Sequence, residues 1–381
     1  MAGTSRVRTR DLRSPVIGNY WNWMGANEDR ESSLGEWEHC EDVVGAWEEV
    51  NPFVHLVFWM QSPVLNGTLY NPEGSKLSEF TNYTPDWVGL FPGPSPQSHY
   101  PDPNLAEMNE DAWTALAKSN PSVPELGLFQ AIGELKDLPS LVKGYGRSLL
   151  RSAAAGYLSW RWCIKPMLSD IEKLLRFQEY ANKRMEELKQ LRDGKSLRRR
   201  VQLIQDRYAS SPTTEIIQSM GAYITAKVRT IYTRHRWATV HWKVNEDSPL
   251  VDMADVDLIR FTRKTMLGVN SRGALSAAWE LLPWSWMIDW FSNVGTMIDA
   301  TNNSVGLYAS RMSLMQKTTS ATYVNVQTKP DFVSLDGTFD WRWTRKWRMP
   351  ILPLVPFPLP SLPIFNRGKL SILAALAVSR R

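Results

Sequence analysis

The hydrophobic and polar positions of this chain change period several times. Residues 1–104 are irregular and β-rich in pattern, with VHLVFWM at 54–60 predicting a buried strand. Asn66-Gly67 reads as a turn, and the proline-dense stretch 85–103 as loop or sheet edge. From 105 to 193 apolar residues recur at three and four, as in Leu105, Met108, Ala112 and Leu116, which predicts helices. One helix is predicted over 143–165, about 34 Å long and set between Pro139 and Pro166. The next begins at a capping box, Ser169 to Glu172, and stops at Asp193-Gly194. Its apolar stripe is Ile171, Leu174, Leu175, Met185 and Leu188, interrupted at Gln178.

Period two returns over 197–250. From 226 to 244 the even positions, such as Ala226, Val228, Tyr232, Ala238, Val240 and Trp242, are largely apolar. The odd positions, such as Lys227, Arg229, His235, His241 and Lys243, are largely polar and basic. That predicts one half-exposed strand about 60 Å long at ~3.3 Å per residue, with 198–208 as its partner. Residues 253–302 are helical in pattern: a helix over 271–282 breaks at Pro283, and Ser285 caps a second with Met287, Trp290, Phe291, Val294, Met297 and Ile298 on its apolar side. Strands resume over 306–349. In FDWRWTRKWRM the residues Phe339, Trp341, Trp343 and Trp347 share one parity, and Arg342, Lys346 and Arg348 the other. That aromatic face is either a stacking platform for unpaired bases or part of the core. ILPLVPFPLPSLPIF, at 351–365, holds five prolines and reads as an extended strap. Residues 369–381 read as a short amphipathic helix.

These blocks predict an α+β fold: an elongated molecule with an α-helical bundle region and a separate region of long-stranded antiparallel β-sheet, each built from discontinuous segments. The β-rich region takes 1–104, 195–252 and 304–365, and the helical region 105–194, 253–303 and 366–381. With 43% hydrophobic and 22% charged residues the chain is an ordered globular protein. Its N-terminus, MAGTSRVRTRDLR, lacks the apolar core of a secretory signal, and no window reaches the ~18 to 20 apolar residues of a membrane span. Cys40 and Cys163 supply no disulfide framework. Synthesis in a cytoplasm is the expectation.

Charge changes the picture more. Residues 31–117 hold fourteen acidic residues and one basic, Lys76, whereas 118–381 hold 38 basic and 22 acidic. A basic partner suits the first part and a polyanion the second, unless the two parts neutralise one another internally. Within 143–165, on a helical projection, Lys143, Arg147, Arg151, Arg161 and Lys165 fall within about 80° of arc. No Asp or Glu occurs from 138 to 169. Like charges at i,i+4 destabilise an isolated helix, so an unrelieved stripe is either a solvated face or, the reading favoured by the missing acids, the contact for an anionic partner, an RNA or DNA backbone.

Catalytic motifs are absent from the sequence: no G-x-S-x-G, H-E-x-x-H or G-x-G-x-x-G occurs. His235 and His241, on one strand face, lie about 20 Å apart, too far to share a metal. No metal or cofactor is expected. Glu280 and Asp289, in the tryptophan-rich AWELLPWSWMIDWF, are the remaining pair that a carbohydrate-active enzyme could use. Their place in a helix apolar around most of its girth favours buried hydrogen-bonding or ionic ties, and no enzyme is expected.

That same stretch carries a resemblance. Trp279, Glu280, Pro283, Ser285, Asp289, Trp290 and Phe291, preceded by LGVN at 267–270 and followed by Val294-Gly295, resemble the signature of the maturation (A) proteins of single-stranded RNA bacteriophages, the levivirus-like group. Trp160-Arg161-Trp162 with KPMLSDI at 165–171 resembles a second segment of that family, in the expected order. The resemblance implies a single-copy virion protein standing in the coat in place of a coat-protein dimer. Its helical region would grip the genomic RNA near the 3′ end, through the basic face at 143–165 with Arg176, Lys183 and Arg184 as its extensions. Its β region would attach to a host retractile pilus, through pilin, and the protein would enter the host with the RNA. Some members also cause lysis by inhibiting cell-wall synthesis.

Overall fold

The computed structural model describes residues 3–12, 18–22, 35–45, 51–83, 94–123, 176–219, 221–266 and 294–351. Among these, strands take 54% and helices 22%. The strands are β1 (Thr4–Asp11), β2 (Asn19–Asn22), β3 (Gly35–Val44), β4 (Phe53–Gln61), β5 (Val64–Tyr70), β6 (Lys76–Tyr83), β7 (Leu197–Ala209), β8 (Thr213–Ser219), β9 (Ala222–Val244), β10 (Leu307–Thr328), β11 (Val333–Asp336) and β12 (Asp340–Ile351). Four helices are α1 (Leu105–Ser119), α2 (Phe177–Arg192), α3 (Asp255–Met266) and α4 (Val294–Thr301).

The larger sheet has the order β1-β3-β4-β12-β10-β9-β7, with β8 also paired to β9; the smaller has the order β11-β5-β6-β2. The pairs β1–β3, β3–β4, β4–β12, β8–β9, β2–β6, β5–β6 and β5–β11 are antiparallel. The chain divides into two units, each made of three segments: 1–104, 202–238 and 313–351 in the first, 105–201, 239–312 and 352–381 in the second. Three of the five divisions fall inside β7, β9 and β10.

The first unit is a two-sheet packing. Its core joins Phe58 and Met60 of β4, Leu65 and Leu69 of β5, Phe80 and Tyr83 of β6, Ile217 of β8, Ile224 and Ala226 of β9 and Trp341 of β12. The period-two pattern explains this. Along β9 the even residues 222 to 232 are buried, while Tyr223, Lys227 and Arg229 are exposed. β12 settles the aromatic question the same way: Trp341 and Trp347 are buried and Arg342 is exposed, so the indoles are core.

The expected helical bundle is corrected. Among the described residues the helices pack as two pairs, α1 with α4 and α2 with α3. Their unit takes much of its core from strands. Val240 and Trp242 of β9 and Leu307 and Met312 of β10 are buried, and the Trp242 indole N–H donates to the Ser119 hydroxyl at the end of α1 (3.2 Å). Long strands supply the packing surface that a bundle would have to find on other helices.

Asn66-Gly67 is a second correction. It lies inside β5 at a register shift, not at a hairpin turn. Asn66 accepts from the Asn82 backbone N–H (2.6 Å) and donates to Asp336 (3.1 Å). Gly67 has φ +124°, and a Cβ there would stand 2.0 Å from the Phe332 carbonyl oxygen. Only glycine fits both conditions.

Candidate functional site

Of the proposed RNA-contacting residues, Lys143, Arg147, Arg151, Arg161 and Lys165 lie outside the described residues, while α2 and the residue before it carry the other three. Arg176 grips Glu179 through two hydrogen bonds (2.9 and 2.8 Å) and lies over the Tyr180 ring, 5.5 Å from its centroid. That guanidinium, with a lesser contribution from Lys183, holds the Glu179 carboxyl below the usual glutamate range. Lys183, seven residues on, is exposed on the same side of the helix.

Arg184 points the other way. It is buried, and its Nη1 donates to the Pro121 carbonyl (3.1 Å) and stands 3.7 Å from Glu187. Glu187 also accepts from Arg199 of β7, which donates to the Ser119 carbonyl at 3.0 Å. This arginine–glutamate–arginine group ties α2, β7 and the end of α1 together, and its geometry turns Arg184 away from any phosphate. The sequence held a signal for it: Ala181, Arg184, Leu188 and Leu191 are spaced three, four and three apart and form the buried stripe of α2.

Trp279, Glu280, Pro283, Ser285, Asp289, Trp290 and Phe291 also lie outside the described residues. The same holds for the strap at 352–365 and the tail at 369–381. Among the described residues no group of three or more His, Cys, Asp or Glu side chains is placed to hold a metal ion. No described helix is long and apolar enough to cross a membrane.

The acidic N-terminal stretch has an internal counterpart that window-by-window charge counting missed. β1 and β3 pair with Arg6 opposite Asp42, Arg8 opposite Cys40 and Arg10 opposite Glu38. Arg6 clasps Asp42 through two bonds (2.9 and 2.7 Å), and Arg8 adds a third at 3.0 Å. Arg6, then Arg8 and Arg348, hold the Asp42 carboxyl below the ordinary aspartate range. Glu36 goes the other way, raised by burial and by Glu38.

One face of the larger sheet carries cations. The side chains of Ala226, Phe58 and Trp341 fix the inner face, which leaves Trp59, Arg342, Lys227 and Arg229 outward. Hydrogen bonds between the hydroxyls of Thr230 and Thr322 (3.1 Å) and of Thr233 and Thr319 (2.6 Å) set the pairing of β9 with β10. That register puts Tyr323 across from Arg229 on the outer face. Segment 94–104 crosses the inner one: Ser320 donates to the Pro94 carbonyl (2.7 Å), Asp102 pairs with Arg345, and the His99 ring stacks on Tyr208 at 4.0 Å.

A family model for phage maturation proteins matches residues 130–324. The chain belongs to that family, whose members are components of the virions of single-stranded RNA phages. The match takes in both the basic run at 143–165 and the tryptophan-rich motif at 279–291. Maturation protein A2 of Qbeta virus (strain MX1) is similar, at 21% identity over 169 residues, which is 44% of this chain and 37% of the relative. The chain thus covers little more than a third of that relative's length.

Proposed function

We propose that the chain is a single-copy maturation and attachment protein of an RNA phage. It takes the place of a coat-protein dimer, binds the genomic single-stranded RNA near its 3′ end, attaches the particle to a host retractile pilus, and enters the host with the RNA. The observation that carries the RNA part is the family match over a segment, 138–169, whose only charged residues are basic until its last position is passed at Asp170. Lys143, Arg147, Arg151, Arg161 and Lys165 supply phosphate contacts, with the exposed Lys183 as an addition. Arg184 is withdrawn from that set because it is buried, and Arg176 acts through its clasp on Glu179. Attachment falls to the unit that holds residues 1–104, 202–238 and 313–351.

The test is binding of the full-length protein to 3′-terminal genomic RNA across a salt series. Each phosphate contact contributes about −0.7 to the slope of log affinity against log salt for a single strand. Replacing the five basic residues of 143–165 with Ala should therefore flatten the slope by about 3.5 and reduce RNA packaging at unchanged protein stability. A folded five-fold variant with the wild-type slope and affinity would remove the RNA assignment.

A further inference from the structure

The outer face of the larger sheet, in the first unit, combines cations with exposed aromatic rings. Trp59 is 37% exposed, Tyr323 53% and Tyr223 60%. They share the face with Lys227 and Arg229 of β9 and Arg342 of β12. Lys227 and Arg229 stand about 6.6 Å apart along the strand, and among the described residues neither has an ion pair. Arg342 is held by Asp340 at 2.7 Å. Exposed Arg, Tyr and Trp on one sheet face are the residue types enriched where proteins dock, with the rings as anchors and the charges choosing the partner.

The occupant follows from charge. The acids of β3, which suggested a basic partner, are largely answered within the sheet: Asp42 is held by Arg6 and Arg8, and Glu38 faces Arg10 across the strands. The charge left without an ion pair among the described residues of this face, on Lys227 and Arg229 of β9, is positive, and Arg342 adds a cation held at one edge by Asp340. Glu36 and Glu38 nevertheless remain on this same face, opposite Trp59 and Val57 of β4. A uniform polyanion laid over the sheet would run onto them, whereas a protein surface can place carboxylates against β9 and β12 and leave β3 alone.

We propose that this face docks an acidic patch on a protein, the subunit of the host filament, with Tyr223, Tyr323 and Trp59 as apolar anchors and Lys227, Arg229 and Arg342 meeting carboxylates. The proposal rests on the attachment reading above and reverses the charge of the partner expected from the sequence. The test uses particles carrying full-length protein with Lys227→Glu, Arg229→Glu and Arg342→Glu. Adsorption to piliated and to pilus-free cells of one strain is measured, together with RNA per particle. Adsorption to piliated cells should fall at least tenfold with RNA content unchanged, and the corresponding Gln variants should show a smaller loss. Tyr223→Ala with Tyr323→Ala should weaken adsorption while leaving its salt dependence in place. Wild-type adsorption that needs pili, alongside unimpaired Glu variants, overturns the face alone. Loss of RNA with normal adsorption of the loaded particles makes it an RNA surface and overturns the proposal. Equal adsorption of wild type to both cell types overturns the attachment reading and this one with it.

Discussion

Arg184 and Lys183 are neighbours in the chain and opposites in physics. Lys183 is solvated, and its replacement by Ala should change stability by less than about 0.5 kcal/mol. Arg184→Ala strands the Pro121 carbonyl and leaves Glu187 with Arg199 alone, a loss of about 1–3 kcal/mol for a buried charged hydrogen bond. Urea unfolding of the two variants checks this, and equal midpoints would show that the buried group holds nothing. Both residues read as basic in the sequence. What separated them was the stripe through Ala181, Leu188 and Leu191, which places 184 on the packed side. Gly67 teaches the complementary lesson. Asn-Gly was legible as a place needing positive φ, but the reason lies in the approach of Phe332, 265 positions away, which no local pattern encodes. Gly67→Ala forces a Cβ against that carbonyl.

At the scale of elements, the strands were the most legible feature, because alternation is a direct consequence of a sheet with one covered face. β9 at Ala222–Val244 and β7 at Leu197–Ala209 extend the predicted stretches by only a few residues. The ladder between β1 and β3 was not legible, since pairing partners about thirty residues apart carry no periodicity. It sets a pH dependence. Asp42 is depressed by Arg6, so its contribution is present above the ordinary aspartate pKa, about 3.9, and is lost as pH falls through its lower folded value. Glu36 is raised, so the folded state takes up its proton first, easing the repulsion with Glu38 as pH falls from neutrality through that raised value. Pairing of β1 should therefore tighten slightly on mild acidification and loosen below about pH 4. Amide exchange of residues 4–11, corrected for intrinsic rates, follows both limbs. In Asp42→Asn the lower limb should vanish, and its persistence would assign the loosening to another group.

For the whole molecule, the helical bundle is the expectation that fails: among the described residues strands take 54% and helices 22%. A block rich in helical spacing predicts a core among helices, whereas β9 and β10, interleaved with the helices along the chain, supply much of it. The same interleaving makes a prediction about truncation. Among the described residues, seven of the fourteen in the cluster between the two sheets of the first unit come from 1–104, namely Tyr20, Phe58, Met60, Leu65, Leu69, Phe80 and Tyr83. The other seven, from Ile217 to Trp341, arrive from later segments, as does β11, the partner of β5. Full burial of each large apolar side chain stabilises by about 1.5–3 kcal/mol. Losing half of that burial for the seven residues of the N-terminal segment costs about 5–10 kcal/mol, comparable with the whole net stability of a domain, about 5–15 kcal/mol. A fragment ending at Asn104 should therefore show no cooperative thermal transition and should aggregate through β4 and β5. A sharp melting transition for that fragment alone would mean that β4, β5 and β6 close a core without β8, β9 and β12. The long strands would then be additions to a self-sufficient N-terminal domain and not its second half.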